Sequence, residues 1–138
     1  MKVEELVYSG APFEGDIISM RKDRVMLPNG TTAMREVVEH DPVAAIVPID
    51  DDGYVLLVRQ YRYPIEAELL EISAGGIEGG EAPVLAARRE LREETGFASN
   101  DIELLGQFWS SPGWSIERIW AFAARDLAPS PLEGDDDE

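Results

Sequence analysis

The chain has 138 residues, no cysteine and a formal charge of −16, with 12 Lys and Arg against 28 Asp and Glu. That size suits one small folded unit with a core, and the absence of cysteine excludes disulfides, thiolate metal sites and a cysteine nucleophile. The acidic balance argues against a nucleic-acid backbone as partner, and no apolar run approaches the length of a membrane span.

Three strands are expected first, over Val3–Tyr8, Asp16–Leu27 and Thr31–His40. Pro28-Asn29-Gly30 supplies the turn between the second and third, because Asn-Gly favours positive φ. Asp41-Pro42 breaks the pattern. Val43–Ile49 and Tyr54–Arg59 then read as a hairpin around Asp50–Gly53, and Leu69–Ser73 as a further strand. A helix is expected over Ala82–Thr95, with Pro83 in its first turn and Gly96 just past its end. Val84, Ala87, Leu91 and Thr95 form its expected buried stripe, with the glutamates on another face. Ile102–Trp109 and Ser115–Ala124 are the last expected strands. Ala128-Pro129-Ser130-Pro131 and the acidic run after it read as a mobile loop or tail.

The organisation expected is therefore residues 1–41 as a small antiparallel meander, 42–127 as the main α/β domain, and 128–138 as the tail. Strands on both sides of a helix, with hairpins throughout, imply a mixed sheet rather than a doubly wound parallel one. The amino terminus lacks an apolar run behind a basic region, so a cytoplasmic protein is expected.

The most informative stretch is 75–97, which reads Gly75-x5-Glu81-x7-Arg89-Glu90-Leu91-x-Glu93-Glu94-x-Gly96-Phe97. Glu90, Glu93 and Glu94 share one helical turn, and like charges so crowded require something positive. Magnesium or manganese, which prefer hard oxygen ligands, are the natural counterions. As a bare octet, Ala87–Glu94 also fits a solvated helix face, with Arg89 and Glu93 as an ordinary i,i+4 pair.

With its spacings, this stretch resembles a complete Nudix box, the signature of hydrolases acting on nucleoside diphosphates linked to another moiety. The resemblance implies an α/β/α sandwich with a mixed sheet, preceded by a small antiparallel amino-terminal sheet. It implies Mg2+ or Mn2+ held by Glu90, Glu93, Glu94 and the carbonyl of Ala74, with Glu93 sharing a metal or orienting the attacking water. Arg89 and Glu81 are expected to pair and fix loop against helix. Gly75, Gly76, Gly79 and Gly80 allow close approach of a ligand to the backbone.

Ser111-Pro112-Gly113, sixteen residues after Gly96, is similar to the feature that marks the ADP-ribose pyrophosphatase subgroup. Val58–Arg62 and Leu70-Glu71 resemble that subgroup as well. The resemblance implies substrate contacts from Arg35, Arg62, Pro112 and Glu117, and hydrolysis of ADP-ribose to AMP and ribose 5-phosphate. Another nucleoside diphosphate sugar, such as GDP-mannose or ADP-glucose, and a non-catalytic nucleotide-binding domain are the alternatives. The partner expected is thus a small nucleoside diphosphate sugar, with neither nucleic acid nor membrane. Relatives exchange the amino-terminal sheet between subunits, so a homodimer is expected. The resemblance implies a further glutamate on the last loop that assists the water; Glu133 or Glu138 is in position in the sequence to serve, the alternative being that this residue is missing. His40, the one histidine, is given a structural role.

Overall fold

The computed structural model describes residues 3–131. The described residues divide into two compact units, one made of 3–41 with 109–118 and the other of 42–108 with 119–131. No described helix is long and apolar enough to cross a membrane.

The first unit is built on β1 (Glu5–Glu14), β2 (Ile18–Met26) and β3 (Thr32–His40), antiparallel in that order. β1 runs well past the expected end at Tyr8, and two register shifts, between Leu6 and Tyr8 and between Gly10 and Phe13, let it keep pace with β2. The turn at 28–30 forms as expected. Gly30 takes φ +86° and Asn29 Oδ1 accepts hydrogen bonds from the backbone and hydroxyl of Thr31. Residues 114–116 close onto the end of β3, where Val38 donates to the Trp114 carbonyl at 2.7 Å and Ile116 donates to the Val38 carbonyl at 3.1 Å. Val25 is the one buried hydrophobic side chain among the described residues of this unit. Leu6, Tyr8, Phe13 and Ile17 are exposed.

The second unit is organised by a four-stranded mixed sheet. Its strands are β4 (Val43–Pro48), β7 (Ser73–Gly76), β9 (Asp101–Trp109) and β10 (Arg118–Arg125), in the order β7-β4-β10-β9. β4 is parallel to β10 and antiparallel to β7. A separate hairpin joins β5 (Val58–Arg62) to β6 (Ala67–Glu71) through a single 3-10 turn at Tyr63–Ile65. The Asp50–Gly53 turn is present, closed by Gly53 at φ +84° and by Asp50 Oδ1 on the Asp52 and Tyr54 amides. The expected strand Tyr54–Arg59 is not. Only an Ile49–Val55 bridge follows the turn, and regular pairing resumes at Val58. The expected strand Leu69–Ser73 is likewise divided at Ile72, with β6 pairing with β5 and β7 pairing with β4.

One helix, α1 (Pro83–Thr95), is present among the described residues. Pro83 occupies its first turn, where a missing N–H costs nothing, and Gly96 ends it at φ +70° with its N–H on the Arg92 carbonyl. Its inner face packs Ala86, Ala87 and Leu91 against Ala44 and Ile46 of β4 and Phe122 and Ala124 of β10. Four of the seven are alanines, and Ile46, Leu91 and Phe122 supply the bulk of the contact. Val84 and Thr95 are half-buried rather than central, and Glu90 is buried with the apolar set, contrary to the expected stripe.

Residues 128–130, where a loop or tail is expected, are paired with the segment after α1. β11 (Ala128–Pro129) pairs with β8 (Phe97–Ala98), Ser130 donates to the Gly96 carbonyl at 2.7 Å, and Arg92 Nε donates to the Ser130 carbonyl at 3.1 Å. Backbone pairing with the segment after α1 holds this piece, and neither composition nor periodicity reports such pairing. Glu133 and Glu138 lie outside the described residues.

Candidate active site

Two of the three glutamates of α1, Glu90 and Glu94, lie against β7, and Gly75 explains how Glu90 does so. Gly75 pairs with Ala44 and Ser73 with Ile46, so both positions of β7 face the helix. A Cβ at residue 75 would stand 2.1 to 2.3 Å from the carboxylate atoms of Glu90. The missing side chain is the space that Glu90 fills. The glycine therefore serves an approach within the protein, in addition to any approach by a ligand.

Arg89 is the hub of this turn. Its Nη1 donates to Glu90 Oε1 at 2.6 Å and to Glu93 Oε2 at 2.9 Å, and its Nη2 donates to the Gly76 carbonyl at 2.9 Å and to Glu81 Oε2 at 3.4 Å. The expected Arg89–Glu81 pair is present, but it is the longest of the four contacts. Burial opposes the Arg89 charge. Hydrogen bonds to Glu81, Glu90 and Glu93 outweigh that cost, and the guanidinium is held charged beyond its ordinary range. Arg89 Nε and Ser73 Oγ are buried without a hydrogen-bond partner among the described residues.

Glu94 turns instead to β7, where its Oε2 accepts the Ala74 N–H at 3.2 Å. Ala74 thus meets this carboxylate through its amide hydrogen. Burial raises the Glu90 carboxyl above its ordinary value, Glu93 and Glu94 add to that, and Arg89 opposes it. The most buried carboxyl of the site is thus the one whose charge is opposed by burial and by its neighbours, and Arg89 is the cation set against that penalty.

Among the described residues, no three acidic or histidine side chains converge in metal-binding geometry. The side-chain contacts give the reason: Arg89 takes one oxygen from each of Glu90 and Glu93, and Glu94 is drawn to Ala74. The donor set nevertheless suits a hard divalent cation. It offers three carboxylates from one helical turn, one of them buried and penalised for its charge.

Arg62 belongs to the same unit. Its Nε and Nη2 donate to Glu71 Oε1 and Oε2 at 2.9 and 2.6 Å, and this pairing holds the Glu71 carboxyl below its usual range. Sequence reasoning gives Glu71 no role of its own. Only the β5–β6 register, which sets residues 62 and 71 on one face, could have indicated it.

Arg35, Pro112 and Glu117 belong to the other unit. Arg35 forks onto Glu4, with Nη2–Oε1 at 2.5 Å and Nε–Oε2 at 3.1 Å. Pro112 lies in a turn in which Trp114 and Ser115 donate to the Ser111 carbonyl. Glu117 accepts from the Ser110 hydroxyl on Oε2, while its Oε1 lies 3.9 Å from His40 Nδ1. His40 Nδ1 is 2.6 Å from the Asp41 carbonyl, which can only accept, so that nitrogen carries the hydrogen.

Comparisons with known proteins give the family. Residues 39–138 match the NUDIX domain family. The chain is 38% identical over 128 residues to the ADP-ribose pyrophosphatase of Bacillus subtilis (strain 168), covering 91% of this chain and 69% of that protein. It is also 38% identical over 125 residues to the methanol dehydrogenase activator of Bacillus methanolicus, covering 91% and 68%. A crystal structure of an ADP compounds hydrolase superimposes with a TM-score of 0.87 at 30% identity, over 98% of this chain and 74% of that one. Nudix hydrolases generally need divalent metal ions. With a mixed sheet, a glutamate-bearing helix against β7 and a family match over most of its length, the chain belongs to the Nudix hydrolases.

Proposed function

We propose that this enzyme hydrolyses the pyrophosphate bond of ADP-ribose, giving AMP and ribose 5-phosphate. The observation that carries the reading is the turn Arg89–Glu94 seated against Gly75 and Ala74 of β7. Similarity to an ADP-ribose pyrophosphatase and to an ADP compounds hydrolase supports the substrate. Glu90, Glu93, Glu94 and the Ala74 carbonyl are the residues to hold Mg2+ or Mn2+, which when bound supplies charge neutralisation at the phosphates.

In this scheme a water oxygen attacks one phosphorus, the bridging P–O bond breaks, and the water's proton leaves to a carboxylate. Glu93 is the best placed for that role, since its side chain is 38% exposed against 10% for Glu90. Arg89 keeps Glu90 and Glu93 oriented. Arg62 and Arg35 are contacts for the anionic substrate, Glu117 accepts hydroxyl hydrogens at its ribose-phosphate end, and Pro112 shapes the loop that presents Glu117.

The first unit, with its exposed Leu6, Tyr8 and Phe13, supports a homodimer formed through the amino-terminal meander, in a cytoplasmic enzyme. Light scattering at micromolar concentration tests the dimer, and a monomeric mass would exclude it.

The activity is tested by incubating the chain with ADP-ribose and Mg2+ and resolving the nucleotides. AMP and ribose 5-phosphate in equal amounts are expected, with Glu93→Gln reducing kcat by about 10²-fold or more. AMP no higher than in that variant would overturn the reading. A panel including GDP-mannose and ADP-glucose, ranked by kcat/KM, tests the sugar, and either one exceeding ADP-ribose would reassign it.

A further inference from the structure

Arg62 and Glu71 lie on adjacent strands, at opposite ends of the β5–β6 pairing. Arg62 is opposite Ala67 and Glu71 is opposite Val58, so Gln60 and Leu69 stand between them on one face. The arginine reaches along that face and meets the carboxylate side-on, through Nε at 2.9 Å and Nη2 at 2.6 Å. Two parallel charge-assisted bonds fix the plane of a guanidinium as well as its position.

A guanidinium has five N–H donors in a planar fork. Glu71 takes Nε and one hydrogen of Nη2. No described residue pairs with Nη1, so the end-on edge formed by Nη1 and Nη2 remains for a second bidentate partner. The exposures are unequal in the sense this requires, with the Arg62 side chain at 46% and Glu71 at 24%. Beyond the hydrogen bonds that Arg62 donates to Glu71, the negative charge of Glu94 also favours the Arg62 cation, so the guanidinium is within electrostatic reach of the glutamate turn. Partly exposed ion pairs add little to fold stability. Fixing a flexible arginine before substrate arrives has a clearer consequence, because the ordering cost is met in advance.

We infer that Glu71 is a positioning residue, holding the Nε/Nη2 edge of Arg62 so that its Nη1/Nη2 edge is presented to the diphosphate of the substrate. The inference rests on the reading of Arg62 as a diphosphate contact. Steady-state kinetics of the full chain with ADP-ribose and Mg2+ test it. Glu71→Gln replaces one acceptor oxygen by a donor and should raise KM about tenfold while changing kcat by less than about threefold. Glu71→Asp, which keeps the charge, should recover part of that loss. In an Arg62→Ala background, Glu71→Gln should add nothing, since its whole effect passes through the guanidinium; a merely structural role would persist there.

Glu71→Gln with KM within about twofold of wild type, alongside a raised KM for Arg62→Ala, would overturn the inference and leave Arg62 in place. Effects of the two substitutions that multiply would also overturn it. A wild-type KM in Arg62→Ala would instead remove the reading of Arg62, and this inference with it.

Discussion

Gly75→Ala separates stability from activity at the glutamate turn. The added Cβ would stand 2.1 Å from Glu90 Oε1, whereas ordinary contact begins at 3.4 Å. The carboxylate must therefore retreat by about 1.3 Å, the difference between those distances. Gly75 does not have a positive φ, so alanine brings no backbone strain. The clash falls on the end of a side chain, though one that is 8% exposed and hemmed in by Arg89. Overpacking of this kind costs about 1–3 kcal/mol, and the reduced freedom of the unfolded chain returns about 0.4–1 kcal/mol. A net loss of about 1–2 kcal/mol follows, with cooperative unfolding kept. Activity should fall much further, because a displacement near 1 Å at a reacting centre can cost about 10²-fold. Thermal unfolding in EDTA and kcat for AMP release measure the two effects. Glu90→Asp in the Gly75→Ala background should recover stability, since the shorter side chain vacates the contested space. A Gly75→Ala enzyme retaining more than about a third of wild-type kcat would refute the placement of Glu90 in the chemistry.

Glu90 also sets a pH dependence. Burial first, then Glu93 and Glu94, raise its folded pKa above the unfolded value, so its favourable contribution is present below the unfolded value and lost as pH rises through the folded one. Glu90→Gln should therefore raise Tm at neutral pH in EDTA and converge with wild type near about pH 4; a lower Tm at neutral pH would contradict this. Arg89→Met leaves Glu81, Glu90 and Glu93 without their shared cation and should cost about 2 kcal/mol in urea unfolding, partly recovered by Mg2+. An unchanged urea midpoint would sink that account. Ser73→Ala removes a buried hydroxyl that has no partner among the described residues and should be neutral or stabilising by up to about 1 kcal/mol. A loss of stability in urea would mean that the hydroxyl is bonded after all.

Punctuation residues make the helix and the first turn legible in the sequence. Pro83 and Gly96 bracket α1 within a residue of its observed ends, and Asn29-Gly30 marks the β2–β3 turn. The glutamate turn is legible from spacing, because three acids within five residues conflict with helix electrostatics unless they serve something. What stays hidden depends on the partner across the gap. The burial of Glu90 follows from a glycine on another strand, and no helical periodicity carries that information. The pairing of Arg62 with Glu71 follows from a hairpin register that apolar alternation does not reveal, since Leu56, Leu57, Leu69 and Leu70 are all exposed. β11 is two residues long and contains a proline, so only its backbone partners identify it.

Arg89 has a consequence for the order of events in a newly made chain. An ion reaches its site by diffusion, whereas three carboxylates on one turn repel each other from the moment the helix closes. Because the compensating cation is encoded within that same turn, it arrives with the helix itself. Electrostatics alone therefore does not require an ion for this helix to close. An ion that comes later meets a helix already docked on its strand, with only side chains left to rotate.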